Sequence, residues 1–323
     1  MTLKEYTIGR NDAGQRLDRF LTKQGYTIGV IRKALRQKDV KIDSKRVGQA
    51  ERKLVQGEVV GIYTQSGVEL PTKADKFHGV SAALNVVYED ENILLCDKPV
   101  GLLCHEDSGQ NSAYANRDTL INRIKAYLYK NGEFVPENEN SFEPALCNRI
   151  DRNTAGIVIA AKNAETLRVM NEKIKLRQVT KLYLCILVGA PKVKGATMTA
   201  FLHKNEATNT VKVTPYKTPD SKTIVTKYRI LDERAGLSLA EINLLTGRTH
   251  QIRAHMAAIG CPLLGDGKYG KNAVNKQHGF ANKQALCSYK LQFSFEGTCH
   301  LDYLNGRCFE VSDVWFLKSY YDM

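Results

Sequence analysis

Apolar positions along this chain follow two rhythms, and the change from one to the other divides it. Over residues 14–62 the rhythm is first helical. Arg16 to Gly25 places Leu17, Phe20 and Leu21 on one face, with Gly25 as the stop. Ile28, Ile31 and Leu35 continue as a second short helix, whose other face carries Arg32, Lys33 and Arg36. Val40-Lys41-Ile42 then alternates as a strand, Asp43-Ser44 turns and Val47 begins the return. Gly57-Glu58 turns again into Val59–Ile62. Residues 64–80 are polar and carry Gly and Pro, as a linker does. Beyond them come short apolar runs that predict strands at Leu84–Tyr88, Ile93–Cys96, Ile157–Ala161, Leu182–Val188 and Leu237–Leu245. A helix is predicted over Ala164–Leu176, with Leu167, Met170 and Ile174 on one face and Asn163 as its N-cap. The polar stretch 104–145 predicts an irregular connection. Strands and helices mix without regular alternation and without a Gly-rich phosphate loop. An α+β fold is therefore expected rather than a doubly wound sheet. The expected division is a small unit at 1–64, a linker at 65–80 and a larger domain at 81–323.

Charge sharpens this division. The chain carries a net charge of +13 with pI near 9.3, a field that concentrates polyanions. Nucleic acid is the first candidate partner and an anionic membrane surface the second. Residues 1–64 hold 14 Lys and Arg against 7 Asp and Glu, so about half the net charge lies in the first fifth of the chain. A second basic stretch, Gly267–Gln284, has four Lys and no acid and suits a loop facing RNA. None of the eight Cys forms a Cys-x-x-Cys pair, and several sit in apolar runs. Reduced core thiols in a cytoplasmic protein are expected. No window is long and apolar enough for a membrane helix, and no signal region opens the chain.

Four segments could carry chemistry. In Cys147–Ala161 a polar knot, Asn148-Arg149-Ile150-Asp151-Arg152-Asn153-Thr154, precedes Gly156 and a buried-type strand. Arg149 and Asp151 lie two apart, so extended backbone would aim both side chains one way. A carboxylate beside guanidinium stays ionised, as a nucleophile or base must. An Asp between two Arg is also, more commonly, a plain surface turn. In Thr246–Gly260 a loop enters a helix with Ile252, Met256 and Ile259 as its apolar face and Gly260 as C-cap. Arg248 and Arg253 near that helix start could pair bidentately with a carboxylate from elsewhere. His250 and His255 are five apart, which does not suit zinc, and His250 is expected to hydrogen-bond in the core or at a site rim. On the strand Lys181–Gly189, Tyr183, Cys185 and Leu187 share one face. Finally, Lys98-Pro99-Val100-Gly101 forms a turn expected at a rim.

Together these segments resemble the RluA-type pseudouridine synthases. The shared motifs are Lys98-Pro99-Val100-Gly101-Leu102, Asn148-Arg149-Ile150-Asp151 with Thr154-Ala155-Gly156, and Lys181-Leu182-Tyr183. They continue with Thr246-Gly247-Arg248-Thr249-His250-Gln251-Ile252-Arg253-Ala254-His255 and Gly265-Asp266 with Tyr269-Gly270. Their order and spacing agree from about residue 84 to 295. The chain departs at Asn148, where the family has His, at Ile150 for Leu, at Ala155 for Ser, and at Leu286-Cys287-Ser288 for Leu-His-Ala. The segment 14–62 resembles the RNA-binding module of ribosomal protein S-four.

The resemblance implies a mixed, mainly antiparallel sheet with a small N-terminal α/β RNA-binding module. It implies isomerisation of uridine in structured RNA, with ribosomal RNA favoured through the module and tRNA as the other target. The base would be extruded from its stack. Asp151 would start glycosidic bond cleavage, Tyr183 would stack under the base and help remove the C5 proton, and Arg253 would hold Asp151. Arg149, Arg248, His250, Arg32 and Arg36 would contact RNA. No metal or cofactor and no membrane is implied, and a monomer is expected. The rivals are a non-catalytic RNA-binding or ribosome-assembly protein on the same fold, and a glycosidic hydrolase. The latter would want a second, opposed carboxylate that no motif supplies.

Overall fold

A computed structural model describes residues 2–64, 77, 79–106, 118–205, 210–281 and 283–323. The expected linker at 65–80 lies almost wholly outside them. Residues 2–64 fold around a core of their own. Strand β1 (Thr2–Thr7) leads to helices α1 (Leu17–Lys23) and α2 (Ile28–Arg36), then to β2 (Val40–Ile42), β3 (Lys45–Val47) and β4 (Val59–Thr64). The sheet order is β1-β4-β2-β3. Leu17, Phe20 and Leu21 of α1 and Ile31 and Leu35 of α2 pack on Val40, Ile42, Val60 and Ile62. Thr27 caps α2 by accepting from the Val30 N–H at 3.4 Å. Asp43 and Ser44 both have positive φ, which closes the two-residue β2–β3 hairpin. Two details differ from expectation. Strand β1 was not foreseen, because Thr2–Thr7 is almost entirely exposed and carries no apolar alternation. Ile28 was placed on the apolar face of α2 but is 59% exposed, because it opens the first turn before the helix reaches the core.

The remainder is built on one mixed sheet. Its members in chain order are β5 (Asn85–Glu89), β6 (Ile93–Lys98), β7 (Ala145–Leu146), β8 (Ala155–Ala161), β9 (Val179–Val188) and β10 (Gly195–Asn205). They continue with β11 (Thr210–Thr214), β12 (Lys222–Arg234), β13 (Leu237–Leu244), β14 (Leu286–Phe293) and β15 (Cys308–Glu310). The main order is β11-β10-β12-β13-β9-β14-β8-β6-β5, with β15 beside β14 and β7 beside β8. Every described pairing between these strands is antiparallel except β14 with β8, so the α+β, mainly antiparallel expectation holds.

Period-2 alternation sends the strands' side chains into two cores. Leu184, Ile186, Leu237 and Leu239 join one, covered by Met170 of α4 (Ala164–Lys175) and by Phe309, Phe316 and Tyr320 near the C-terminus. Tyr183, Cys185, Leu187, Ala240 and Ile242 join the other. There they meet Leu120, Ile124 and Leu128 of α3 (Leu120–Lys130) and Ile252 and Met256 of α5 (Gln251–Ala258). Helix α3 corrects the expected irregular connection at 104–145. Its polar residues hid a stripe of only three buried apolar positions, each four residues apart. Asn163 caps α4 as expected, accepting from Thr166 N–H at 2.9 Å.

The two units are joined by polar contacts. Asp12, 1% exposed, accepts from Ser141 Oγ at 2.5 Å and Asn140 Nδ2 at 2.8 Å. Asn11 Oδ1 accepts the Ala164 N–H at 3.0 Å, an orphan donor of the first turn of α4.

Candidate active site

The segment between β7 and β8 is a tight loop held from below. Its floor is the turn after β6. Lys98 is wholly buried, and its ammonium donates to the carbonyls of Pro99, Leu102 and Arg152 at 2.8–3.0 Å. The Gly101 N–H donates to the Arg152 carbonyl at 2.9 Å, and Arg152 Nε returns a bond to the Gly101 carbonyl at 3.0 Å. Burial pulls the Lys98 ammonium down to about 8, with Cys104 and Asp151 nearby pulling the other way. Pro99 and Gly101 of this turn are exposed, but Lys98 is a buried brace whose three donors are all spent on backbone.

Above the brace, Asp151 accepts from the Thr154 N–H through its own carbonyl at 3.1 Å, and its carboxylate stands partly open, 31% exposed. Gly156 lets β8 begin at this point. Its φ is +110°, and a Cβ there would lie 2.3 Å from the Ser288 carbonyl oxygen where β8 meets β14. Asn148 turns away from Asp151, and its side-chain oxygen accepts from the Ile159 N–H at 2.8 Å. Arg149 and Arg248 are exposed at the surface.

Arg253, on the first turn of α5, is the expected partner of Asp151. Its Nη1 lies 3.3 Å from Asp151 Oδ2. The bidentate pair, however, is made with Asp266, by Nε at 2.7 Å and Nη2 at 2.9 Å. Burial would raise the Asp266 carboxyl, but the guanidinium and the N–H groups of Lys268 and Tyr269 outweigh it and hold it below the usual range. Burial likewise opposes the Arg253 charge, and the two carboxylates overcome it and raise the guanidinium further. Arg253 is thus fixed by one acid while it touches the other. Asp266 was quoted in the sequence motif without a role; its place between Gly265 and a Tyr-Gly pair was the available signal. Gly265, with φ +80°, leaves 2.0 Å for an added Cβ against the Lys283 carbonyl, so the Asp266 turn requires glycine.

Helix α5 is seated by Gln251. Its amide donates to the Val225 carbonyl and Thr226 Oγ1 and accepts from Thr246 Oγ1 and the Arg248 N–H. Ile252 and Met256 are buried as expected, but Ile259 is 39% exposed because the helix ends at Ala258. His250 binds the Tyr269 hydroxyl through Nδ1 at 2.9 Å and has Nε2 at 3.9 Å from Asp151 Oδ2.

Tyr183 faces the same core as Ile150 and Ile252, is 5% exposed, and lies near enough to Asp151 to feel its charge. Burial pushes its phenol up to about 12, so little phenolate exists near neutrality. The loop, the strand and the helix therefore bring Asp151, Arg253, His250 and Tyr183 together. Arg32 and Arg36 belong to α2, and no described contact joins them to this group. The stretch 267–284 holds a short helix, α6 (Asn272–Gln277), whose Asn275 accepts the Gly265 N–H at 2.8 Å. Among the described residues, no cluster of His, Cys, Asp and Glu is arranged to hold a metal ion, and no helix is long and apolar enough to cross a membrane.

A mainly antiparallel mixed sheet that carries a partly open carboxylate in contact with an arginine, near a buried tyrosine, describes an α+β domain with a cleft-forming loop, strand and helix. Comparison with known proteins gives that domain its family. Residues 92–258 match the model described as RNA pseudouridylate synthase, and the chain belongs to that family. It is an RNA pseudouridine synthase, with RNA as its substrate. The "Ribosomal large subunit pseudouridine synthase C" of Vibrio vulnificus is 31% identical over 304 residues, covering 90% of this chain and 88% of the relative. The "Ribosomal large subunit pseudouridine synthase D" of Buchnera aphidicola is 29% identical over 300 residues, covering 90% and 86%. The solved structure of "Human RNA Pseudouridylate Synthase Domain Containing 4" superposes with a TM-score of 0.56 at 18% identity. It covers 73% of this chain and 92% of that one, which supports the fold.

Proposed function

We propose that this synthase modifies uridines of large-subunit ribosomal RNA, with Asp151 as the group that opens the glycosidic bond. The observation that carries the chemistry is the Arg253–Asp151 contact, in a guanidinium already locked by Asp266. Such a cation cannot drift away as charge develops on the sugar or the base, so the carboxylate keeps its direction through the step. Asp151 attacks the sugar at C1′ or removes a proton from it, the N1–C1′ bond breaks and the freed uracil turns over; C5 then bonds C1′ as the carboxylate is released or the sugar proton returned, C5 loses its proton and N1 ends protonated. Tyr183 lies under the base. With its phenol held protonated, it acts as a stacking surface and hydrogen-bond donor before it acts as a base.

The choice of ribosomal RNA over tRNA rests on the names of the relatives and on the small basic unit at 2–64. Within it, Arg32, Lys33 and Arg36 are exposed on α2 and engaged by no described side chain. Cations so placed suit phosphate contacts, which position RNA without reading its sequence. Arg149 and Arg248 would meet the strand from which the base is flipped. The reading includes a monomer working in the cytoplasm, where its eight unpaired thiols stay reduced.

The test is pseudouridine mapping of total RNA from cells with and without the gene, each rescued with wild type or Asp151→Ala. Loss of large-subunit sites restored only by wild type is the expected result. Loss confined to tRNA would overturn the target. Rescue by Asp151→Ala would overturn the role of the carboxylate.

A further inference from the structure

Three polar groups stand in line between the edge of the sheet and Asp151. Strand β11 is the outermost strand on its side, so alternate N–H groups have no ladder partner. One of these, the Val211 N–H, donates to the Tyr269 hydroxyl at 2.9 Å. That hydroxyl is 2.9 Å from His250 Nδ1, and it makes no other described hydrogen bond. A hydroxyl that accepts from a backbone N–H still has its own proton to place, and Nδ1 is the described acceptor within reach. His250 then carries its proton on Nε2, the nitrogen that faces Asp151 Oδ2 at 3.9 Å.

Two further features belong to the same arrangement. His250 sits at φ +52° and ψ +21°, a left-handed conformation that costs a non-glycine residue about 1 kcal/mol. It occupies the N-cap position of α5, yet its side chain makes no cap bond and turns to Tyr269 instead. The Tyr269 ring also lies under the Arg253 guanidinium, 5.2 Å from centroid to carbon. One tyrosine therefore touches both groups that flank the carboxylate.

We propose that Tyr269 and His250 are positioning residues that fix the histidine as the Nε2–H tautomer, aim it at Asp151, and tie that carboxylate to the β10–β11 edge of the sheet. The proposal rests on Asp151 being the reacting group. The Nε2–H and Arg253 Nη1 then approach the same oxygen, Oδ2, and leave Oδ1 for the substrate. The groups facing His250 are Asp151 and Asp266, which favour its protonation, and Arg253 and Lys268, which oppose it. Burial is the largest influence and keeps the imidazole neutral at pH 7. The Tyr269 donor also favours the neutral ring, so removing it raises the imidazole toward its ordinary value.

The direct experiment is nitrogen NMR of the full chain with 15N-labelled histidine at pH 8, on wild type and Tyr269→Phe. The expected wild-type spectrum shows an unprotonated, hydrogen-bonded Nδ1 and a protonated Nε2 for His250. In Tyr269→Phe the two tautomers mix. In steady state, Tyr269→Phe is expected to lower kcat about tenfold with KM within twofold, and to move the acid limb of kcat to higher pH. His250→Gln, whose amide places a donor near the Nε2 position, is expected to keep several-fold more activity than His250→Leu. The two histidine variants carry the test should Tyr269→Phe fail to fold. A protonated Nδ1 in wild type, an unmoved acid limb, or equal activity of the Gln and Leu variants overturns the relay. An active Asp151→Asn enzyme with the expected tautomer intact would instead overturn the role given to Asp151.

Discussion

The loop of Asp151 and the basic face of α2 are both built from charged residues, and they are treated in opposite ways. Around Asp151 the charges packed beneath and beside the carboxylate are committed, while Arg149 stays exposed. Lys98 is spent on three carbonyls, Arg253 on Asp266, and the loop backbone on the Gly101 turn. On α2, Arg32, Lys33 and Arg36 stand exposed without a described partner, on a helix whose opposite face is pinned by Ile31, Ala34 and Leu35. The difference fits the tasks proposed for the two regions. A reacting carboxylate must hold its geometry against developing charge, so its surroundings are organised beforehand. A phosphate-binding surface gains by keeping its cations hydrated and adjustable until RNA displaces the counterions.

If that contrast is right, the largest effect of any single change is at Asp151. Asp151→Asn should lower kcat roughly ten-thousandfold or more in single-turnover assays while RNA affinity and melting temperature stay near wild type. A residual rate within a hundredfold of wild type would break the assignment. Asp266→Asn comes next. It leaves the largely buried Arg253, its side chain 12% exposed, with one carboxylate partner, and the expected loss is about 3 kcal/mol in denaturant unfolding together with a fall in kcat. The Asp266 carboxyl is held below its ordinary value, so it binds fewer protons folded than unfolded. Its contribution is complete above pH 4 or so and is lost as pH falls through the lower folded value. Wild type and Asp266→Asn should therefore converge in stability in acid; parallel curves would count against the clamp.

The same contrast explains what the sequence disclosed. The unit at 2–64 was readable because its helices and hairpin obey local rules: a 3,4 stripe, a glycine stop and a two-residue turn. Strand β1 escaped because it forms only by pairing with β4, 52–62 residues away. In the larger domain, the strand faces were legible at Tyr183, Cys185 and Leu187, since alternation alone separates two cores. Asp151 and Arg253 were legible only as members of an ordered set of motifs. Nothing local says that Lys98 is buried, or that Asp266 takes the bidentate face of Arg253. Those facts depend on β6, α5 and the turn at 265–270 meeting in space. A lysine in a Lys-Pro-x-Gly turn reads as surface until the loop that covers it is in place.

Lys98→Met tests the brace below the loop. Three carbonyls lose their donor, and the expected cost is about 3 kcal/mol with a several-fold lower kcat. The pH dependence carries a definite sign. Lys98 titrates near 8 when folded and near its ordinary 10.5 when unfolded, so between those values the unfolded chain binds the extra proton. The penalty of burying the charge is fully present below pH 8 and fades as pH rises toward 10.5. Wild type should gain on Lys98→Met over that range, by up to about 3 kcal/mol. A difference that stays constant with pH would mean the ammonium is not desolvated as the structure shows.

The smallest expected effect lies on α2, and its form matters more than its size. Arg32→Ala with Arg36→Ala removes two exposed cations and no packing, so melting temperature should not move. If these arginines meet phosphate, KM for RNA rises about tenfold and kcat at saturation is unchanged. The slope of log affinity against log salt should also become shallower by roughly one unit for each arginine removed. The loss should be similar for RNAs of different sequence but equal length, because phosphate contacts position and do not discriminate. A fall in kcat with an unchanged salt slope would place α2 in the catalytic step and erase the contrast with the Asp151 loop. An unchanged KM and salt slope would remove α2 from the RNA surface altogether.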